Sequence, residues 1–197
     1  MITEFLQAHW LDITTTVLGL AYIIFEYKAS LWMWVVGFLM QVLGIVLYYQ
    51  KGLYADCGME FYYLSMTIYG YFRWMKPKAN SQKPIAITHF PKKAVGYWLL
   101  VTGTVWAVIY WLLVTFTNSN VPLADSFTTA LSIVGIWALA HKYLEQWFIW
   151  IAVDIVTCVL YYYKDIPFKA SLYALYVMIA IAGYLKWRKM LNKQPVS

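Results

Sequence analysis

The segments Ile68-Tyr69-Gly70-Tyr71-Phe72-Arg73-Trp74 and Ile181-Ala182-Gly183-Tyr184-Leu185-Lys186-Trp187 decide the fold of this chain, because they are two copies of one pattern at an offset of 113 residues (68 to 181). The same offset relates three further stretches without a gap. These are 12–18 with 125–131, Trp34 with Trp147, and 47–51 with 160–164. One offset that holds over four separate stretches indicates a duplicated unit.

The composition is that of a membrane protein. Of the 197 residues, 62% are hydrophobic, 20% are aromatic and only 12% are charged. Soluble domains carry roughly 25% charged residues, and one core could not bury this much apolar surface. Hydrophobic stretches of near-spanning length recur along the chain, which predicts a single transmembrane domain over residues 1–197. Glu4 and the absence of a basic residue before the first stretch argue against a signal peptide.

Seven spans are expected, and the duplication groups them. Their predicted bounds are Trp10–Phe25, Leu31–Gln50, Cys57–Trp74, Val95–Phe116, Phe127–Ala140, Trp147–Tyr163 and Ser171–Trp187. Residues 10–75 form one three-helix repeat, 92–117 a linking helix and 124–190 the second repeat, while Lys76–Pro91 is expected to be an ordinary polar loop. Three spans alone would invert the second copy, and the linking helix restores its direction. The sequence therefore predicts an all-α integral membrane protein with parallel 3+1+3 repeats, which is typical of a transport pathway.

The basic residues set the orientation. Alternating loops place 12 of the 15 lysines and arginines on one side of the membrane and leave Lys51, Lys164 and Lys169 on the other. By the positive-inside rule, the N-terminus is expected outside and the C-terminus in the cytoplasm. Because these residues flank hydrophobic spans, they report topology and do not indicate a nucleic-acid partner.

Trp147, Trp150 and Asp154 occupy positions i, i+3 and i+7 of span 6 and therefore share one helical face. Asp154 is expected about 10 Å deeper than Trp147, at 1.5 Å per residue. A carboxylate at that depth costs roughly 2.5–3.5 kcal/mol, so it usually faces a cavity or a partner. We expect the three side chains to line a site for a flat ligand. The alternative is a structural hydrogen bond, for instance with a threonine of span 5.

Further candidates come from span 3 and from the repeat. Glu60 lies in the outer part of span 3, about 21 Å from its cytoplasmic end. The alternative interpretation is that Glu60 is a boundary residue whose side chain snorkels outward to the membrane surface. A site on a pseudo-axis draws equivalent positions from both halves. The repeat therefore adds Gln41, Trp34 and Tyr173, which are equivalent to Asp154, Trp147 and Glu60.

Other polar and aromatic residues have structural interpretations. Asp12 and Asp125 open spans 1 and 5, where a carboxylate caps free backbone N–H groups. Most tryptophans and tyrosines near span ends fit the aromatic belt at headgroup depth. The tyrosines in this group are Tyr48, Tyr49, Tyr161, Tyr162 and Tyr163.

The predicted site suits a cationic aromatic ligand. No lysine or arginine is expected within the hydrocarbon, which disfavours anionic ligands, while carboxylates and aromatic faces hold a cation. The three histidines lie near span ends or in loops and the two cysteines lie in different spans, so no metal site is expected. The sequence has no nucleophile triad, no phosphate-binding glycine loop and no mid-span lysine for a retinal Schiff base. We therefore expect neither an enzyme nor a bound cofactor.

Over nearly its whole length the chain resembles the PnuC family of bacterial vitamin transporters. The resemblance is strongest in Gly52-Leu53-Tyr54-Ala55, in Ile68-Tyr69-Gly70 and from Asp125 to Trp150. It implies a 3+1+3 fold with SWEET-like pseudo-symmetry, a homotrimer in the bacterial inner membrane, and uptake by facilitated diffusion. It also implies that a cytoplasmic vitamin kinase or pyrophosphokinase traps the vitamin as its phosphate.

Two positions depart from the nicotinamide riboside members of that family. Their W-x-x-W-x-x-x-N motif matches Trp147 and Trp150, but Asp154 stands at the asparagine position and Glu60 where glutamine is common. Tyr173 falls on a tyrosine that lines the family's substrate site. The two acidic residues make the chain more similar to the thiamine-transporting PnuT-like branch. Thiamine is thus the expected substrate, nicotinamide riboside is the alternative, and a heptahelical sensor or scaffold is the alternative from another class.

Overall fold

Helices account for nearly all of the regular structure. The computed structural model describes residue 14 and residues 17–50, 54–76, 85–117 and 119–194. These residues form seven α-helices: α1 (Val17–Tyr27), α2 (Trp32–Gln50), α3 (Tyr54–Met75), α4 (Val95–Phe116), α5 (Pro122–Ala140), α6 (Gln146–Tyr163) and α7 (Pro167–Asn192). A short 3-10 helix, Lys92–Ala94, leads into α4. A helix therefore lies at each predicted span, whereas the start of span 1 and Asp12 lie outside the described residues.

Five of these helices are long and apolar enough to cross a membrane: α2, α4 with the preceding 3-10 turn, α5, α6 and α7. The described part of α1 is shorter than a bilayer crossing. Helix α3 has sufficient length, at 22 residues, but it carries Asp56, Glu60 and Arg73. The prediction of an all-helical membrane protein is confirmed.

Contacts divide the chain into two compact units, Met1–Ile85 and Ala86–Ser197. In the first unit, α2 packs on α3 through a tryptophan that lies on a glycine. A Cβ atom on Gly70 would overlap the six-membered ring of Trp34, which is 1% exposed. Trp74 meets Trp34 edge-on, with ring centroids 5.4 Å apart. The absence of a side chain at Gly70 is thus what lets these two helices approach.

The second unit repeats this contact at the offset of 113 residues. Trp147 of α6 covers Gly183 of α7, where a Cβ atom would again overlap the indole, and Trp187 meets Trp147 edge-on at 5.6 Å. The unit begins with α4, which packs on α5, and continues through α5 against α6 and α6 against α7. The Trp106 indole of α4 donates a 3.1 Å hydrogen bond to the buried hydroxyl of Ser126 on α5.

Helix α5 begins earlier than predicted, at Pro122 instead of Phe127, because proline at the first helical position is pre-organised for a helix start. Asp125 therefore lies in the first turn and not at the cap, and the cap residue Val121 has no side-chain hydrogen bond. The Asp125 carboxylate instead accepts a 2.8 Å hydrogen bond from Ser119. The predicted capping role of Asp125 is wrong in this respect.

The end of the predicted polar loop is more ordered than expected. Thr88 forms a parallel bridge with Tyr143 in the turn between α5 and α6. Glu145 accepts hydrogen bonds at 2.8 Å from the backbone N–H of Phe90 and from His89 Nδ1. Burial lowers the pKa of Lys142 in the same turn to about 8. Residues 88–90 are thus held against the α5–α6 turn.

Replacing Gly183 by alanine tests the tryptophan–glycine contact. We expect Gly183→Ala to lower the free energy of unfolding by about 1–3 kcal/mol, because the added methyl overlaps the Trp147 ring and overpacks the crossing. The matched control is Gly103→Ala on α4, where a Cβ atom meets nothing within 4 Å. Thermal unfolding of both purified variants in detergent measures the difference. Equal stability of the two variants would refute the proposed packing role.

Candidate functional site

Asp154 lies in the middle of α6 and is half-buried. Its carboxyl group forms no hydrogen bond with any residue that the structure describes. It interacts electrostatically with the phenol of Tyr176 on α7. A half-buried acidic side chain inside a membrane-spanning helix is costly when it has no hydrogen-bond partner, and Asp154 has none in the part of the chain that the structure describes, so it marks a candidate ligand contact.

The structural alternative for Asp154, a hydrogen bond from a threonine of α5, is not found among the described residues. The Thr128 hydroxyl donates to backbone carbonyls of its own helix at 3.0 and 3.1 Å. The Thr129 hydroxyl donates to the carbonyl of Asp125 at 2.7 Å. Both hydroxyls are therefore used within α5.

Helices α6 and α7 pair in layers seven residues apart. Trp147 lies on Gly183, Asp154 interacts with Tyr176, and the Lys169 ammonium lies 5.1 Å from the centre of the Tyr161 ring. Each step of +7 along α6 is matched by a step of −7 along α7, so the two helices are antiparallel. The tryptophan–glycine layer thus fixes the register that brings Asp154 to Tyr176.

Tyrosines extend the site toward the C-terminal end of α6. Tyr161 stacks on Tyr173, with centroids 5.4 Å apart and an interplanar angle of 21°. Tyr173 in turn meets Tyr176 edge-on at 5.6 Å. Tyr161 is therefore part of a ring cluster as well as a span-end residue, whereas Tyr162 and Tyr163 are 79% and 82% exposed as expected of a belt. The sequence interpretation missed Tyr161 and Tyr176, although Tyr161 lies seven residues after Asp154 on the same face.

The two tryptophans of the predicted motif have different environments. Trp150 is half-buried and packs toward Gly135 of α5, where a Cβ atom would lie 3.3 Å from its ring. Trp147 is 3% exposed in the α6–α7 crossing. Both indole N–H groups lack an acceptor among the described residues. The packing of Trp147 assigns it a structural role, and its predicted contact with the ligand stays a prediction.

The candidates of the first unit lie on α2 and α3. The Glu60 carboxyl group lies over Gly44, where a Cβ atom would be 2.8 Å from its carboxyl carbon. Gln41, three residues before Gly44, is half-buried. Trp34 is buried on Gly70 and borders an apolar groove of about 220 Å³ that also includes Thr67. Within this unit, Glu60 and Gln41 are the polar candidates, and Trp34 has the packing role of Trp147.

No group of three or more potential metal ligands occurs among the described residues. The second unit provides an acidic group and aromatic faces, which suit the binding of a polar flat molecule.

Comparison with known proteins identifies the family. Residues 9–189 match the family model described as nicotinamide mononucleotide transporter. The chain belongs to this family, the PnuC family. It is therefore a multi-pass membrane transporter and not an enzyme, and a sensor or scaffold is disfavoured.

Several members of the PnuC family are similar to the chain over most of its length. It is 25% identical over 194 residues to the riboflavin/roseoflavin transporter RibM of Streptomyces davaonensis, covering 95% of this chain and 89% of RibM. It is 26% identical over 200 residues to the nicotinamide riboside transporter PnuC of Neisseria mucosa, covering 93% of this chain and 74% of that protein. These relatives are thus named as transporters of different vitamins.

A solved structure has the same fold. The crystal structure of the vitamin B3 transporter PnuC matches with a TM-score of 0.73 at 21% identity, covering 98% of this chain and 87% of that chain.

Truncation of Asp154 tests whether its carboxyl group has a structural partner. We expect Asp154→Ala to leave the free energy of unfolding of the ligand-free protein unchanged or to raise it, because no hydrogen bond to a described residue is lost and a costly half-buried carboxyl group is removed. The matched variant Asp125→Ala loses the bond from Ser119 and should lower it by about 1 kcal/mol. Both values come from thermal unfolding in detergent. A larger loss for Asp154→Ala than for Asp125→Ala would mean that Asp154 has a structural role.

Proposed function

We propose that this transporter of the PnuC family carries thiamine into the cell by facilitated diffusion. The observation that carries the proposal is the half-buried carboxyl group of Asp154, which no described residue hydrogen-bonds, which shares a helical face with Trp150 and which interacts electrostatically with Tyr176. Such a group gains a partner when a ligand binds. Asp154 would therefore make the main polar contact, with the aromatic side chains of α6 and α7 around the rings of the vitamin.

The chemistry of thiamine fits these groups. Its thiazolium ring carries a permanent positive charge, which aromatic faces and an acidic residue attract. Its aminopyrimidine offers an amino group, which donates to a carboxylate or a carboxylic acid, and a ring nitrogen, which accepts a hydrogen bond from a protonated carboxylic acid. Glu60, which lies over Gly44, would supply the second polar contact. Trp147, Trp34, Gln41 and Tyr173 complete the proposed lining.

Nicotinamide riboside is the second candidate, because several relatives are named as its transporters. It is also a cation, so charge does not separate it from thiamine. Its carboxamide and ribose, however, are better matched by amide side chains than by the acidic groups of Asp154 and Glu60. The two acidic residues therefore favour thiamine.

The duplication supports a specific architecture. The equivalent tryptophan–glycine crossings, Trp34 on Gly70 and Trp147 on Gly183, support two three-helix repeats at 10–75 and 124–190 with a linking helix at 92–117. We propose that the repeats are parallel in the 3+1+3 manner with SWEET-like pseudo-symmetry. The excess of basic residues in alternate loops supports an external N-terminus and a cytoplasmic C-terminus. The proposal includes a homotrimer in the bacterial inner membrane and trapping of the vitamin by a cytoplasmic kinase or pyrophosphokinase.

Calorimetric titration of the purified protein tests the substrate. We expect the wild type to bind thiamine more tightly than nicotinamide riboside or riboflavin. The isosteric change Asp154→Asn should weaken thiamine binding by about 1.5–3 kcal/mol, the range for hydrogen bonds to charged groups. The same change should also reduce the difference in binding affinity between thiamine and nicotinamide riboside.

Two outcomes of this titration would contradict the assignment. If the wild type binds the riboside or riboflavin and not thiamine, the proposed substrate is wrong. If Asp154→Asn binds thiamine as tightly as the wild type, Asp154 does not contact the ligand.

Uptake into proteoliposomes tests the passive mechanism. We expect labelled thiamine to equilibrate across the bilayer at a saturable rate without any ion gradient, because the proposal includes no coupled ion. Accumulation above the external concentration under a proton gradient, with no kinase inside, would contradict a uniporter. Flux that does not saturate with substrate would indicate a channel.

A further inference from the structure

Lys169 lies in the first turn of α7 and directs its ammonium group to the Tyr161 ring of α6, 5.1 Å from the ring centre. The lysine is exposed and Tyr161 is half-buried. A positive charge at the N-terminus of a helix is electrostatically unfavourable. The ring contact offsets part of this cost, and contacts of this kind at exposed positions are weak enough to be exchanged readily.

The ring that Lys169 covers is the first of a series that leads to Asp154. Tyr161 stacks on Tyr173 at 5.4 Å, and Tyr173 meets Tyr176 at 5.6 Å. Tyr176 interacts electrostatically with Asp154. Tyr161 and Asp154 are seven residues apart on one face of α6, a rise of about 10 Å. The three phenol rings therefore form a continuous aromatic series from the end of the helix to Tyr176, the residue that interacts with the acidic group.

We propose that Tyr161, Tyr173 and Tyr176 form the access path of the cationic substrate and that Lys169 is a competing cation at its mouth. This inference rests on the proposed function. A positively charged ring that approaches the path meets the Lys169 charge first and must displace it from Tyr161. Once past this ring, the substrate is attracted by Asp154, which lies seven residues further along α6 from Tyr161. Lys169 thus sets the rate of access. It also selects for ligands that bind the aromatic rings more strongly than the lysine binds Tyr161.

Association kinetics of thiamine with Lys169→Gln test this role. Stopped-flow tryptophan fluorescence of the purified protein should show an association rate constant about two- to five-fold above that of the wild type, the factor that corresponds to an exposed cation–π contact. The dissociation rate constant should stay unchanged. The matched control is Lys164→Gln. Lys164 is also exposed and carries the same charge, and it follows the C-terminal end of α6, the helix that contains Tyr161. We expect no change in the control beyond the measurement error.

A second variant separates ring competition from a general charge effect. In a Tyr161→Leu background, Lys169→Gln should have no further effect, whereas in Tyr161→Phe the increase should persist because the ring remains. An unchanged association rate in Lys169→Gln, or an equal increase in Lys164→Gln, would overturn the inference. Neither result affects the proposed function. That function fails instead if the wild type shows no binding of thiamine.

Discussion

A tryptophan ring lying on a glycine is the contact on which the rest of the structure depends. In each unit the indole fills the space that a side chain would occupy, on Gly70 in the first and on Gly183 in the second. Small residues at helix crossings are the usual means of close packing in a membrane, where lipid removes the hydrophobic drive between helices. In the second unit this crossing fixes the register of α6 against α7, and that register brings Asp154 to Tyr176 one heptad away.

The duplication preserves this packing even where the residues have changed places. In the first unit the ring of Tyr22 lies near Gly37, and at the equivalent positions of the second unit Gly135 lies under Trp150. The large and small partners are exchanged across the same crossing. The cysteines show the same exchange: Cys57 donates to the Ile45 carbonyl, and at the equivalent pair of positions Cys158 donates to the carbonyl of Ala170. The polar positions instead have diverged: the repeat equivalent of Asp154 is Gln41, and that of Glu60 is Tyr173. The packing is thus common to both units, whereas the candidate site is not.

Hydrophobic stretches and repetition in the sequence are sufficient to predict the helices, because both can be read directly from the order of residues along the chain. The sequence predicts the start of α5 five residues too late, because the hydrophobic pattern begins only at Phe127 while proline at the first helical position starts the helix at Pro122. Asp125 therefore lies inside the helix and not at its cap. Asp154 could be found because an acidic residue in an apolar helix is unusual. Tyr176 could not, since its importance comes from the pairing of α6 with α7, which no local pattern reveals. Trp147 and Trp150 are alike in the sequence, but packing separates them into a buried and a half-buried ring.

The central claim is that the Asp154 carboxyl group finds its hydrogen-bond partner in the substrate. A structure of the complex with thiamine tests it most directly. The account predicts that the amino nitrogen of the pyrimidine lies within about 3.2 Å of an Asp154 carboxyl oxygen, with Trp150 and Tyr176 against the rings. A complex in which thiamine binds elsewhere, while Asp154 is hydrogen-bonded to another residue of the protein, would contradict it.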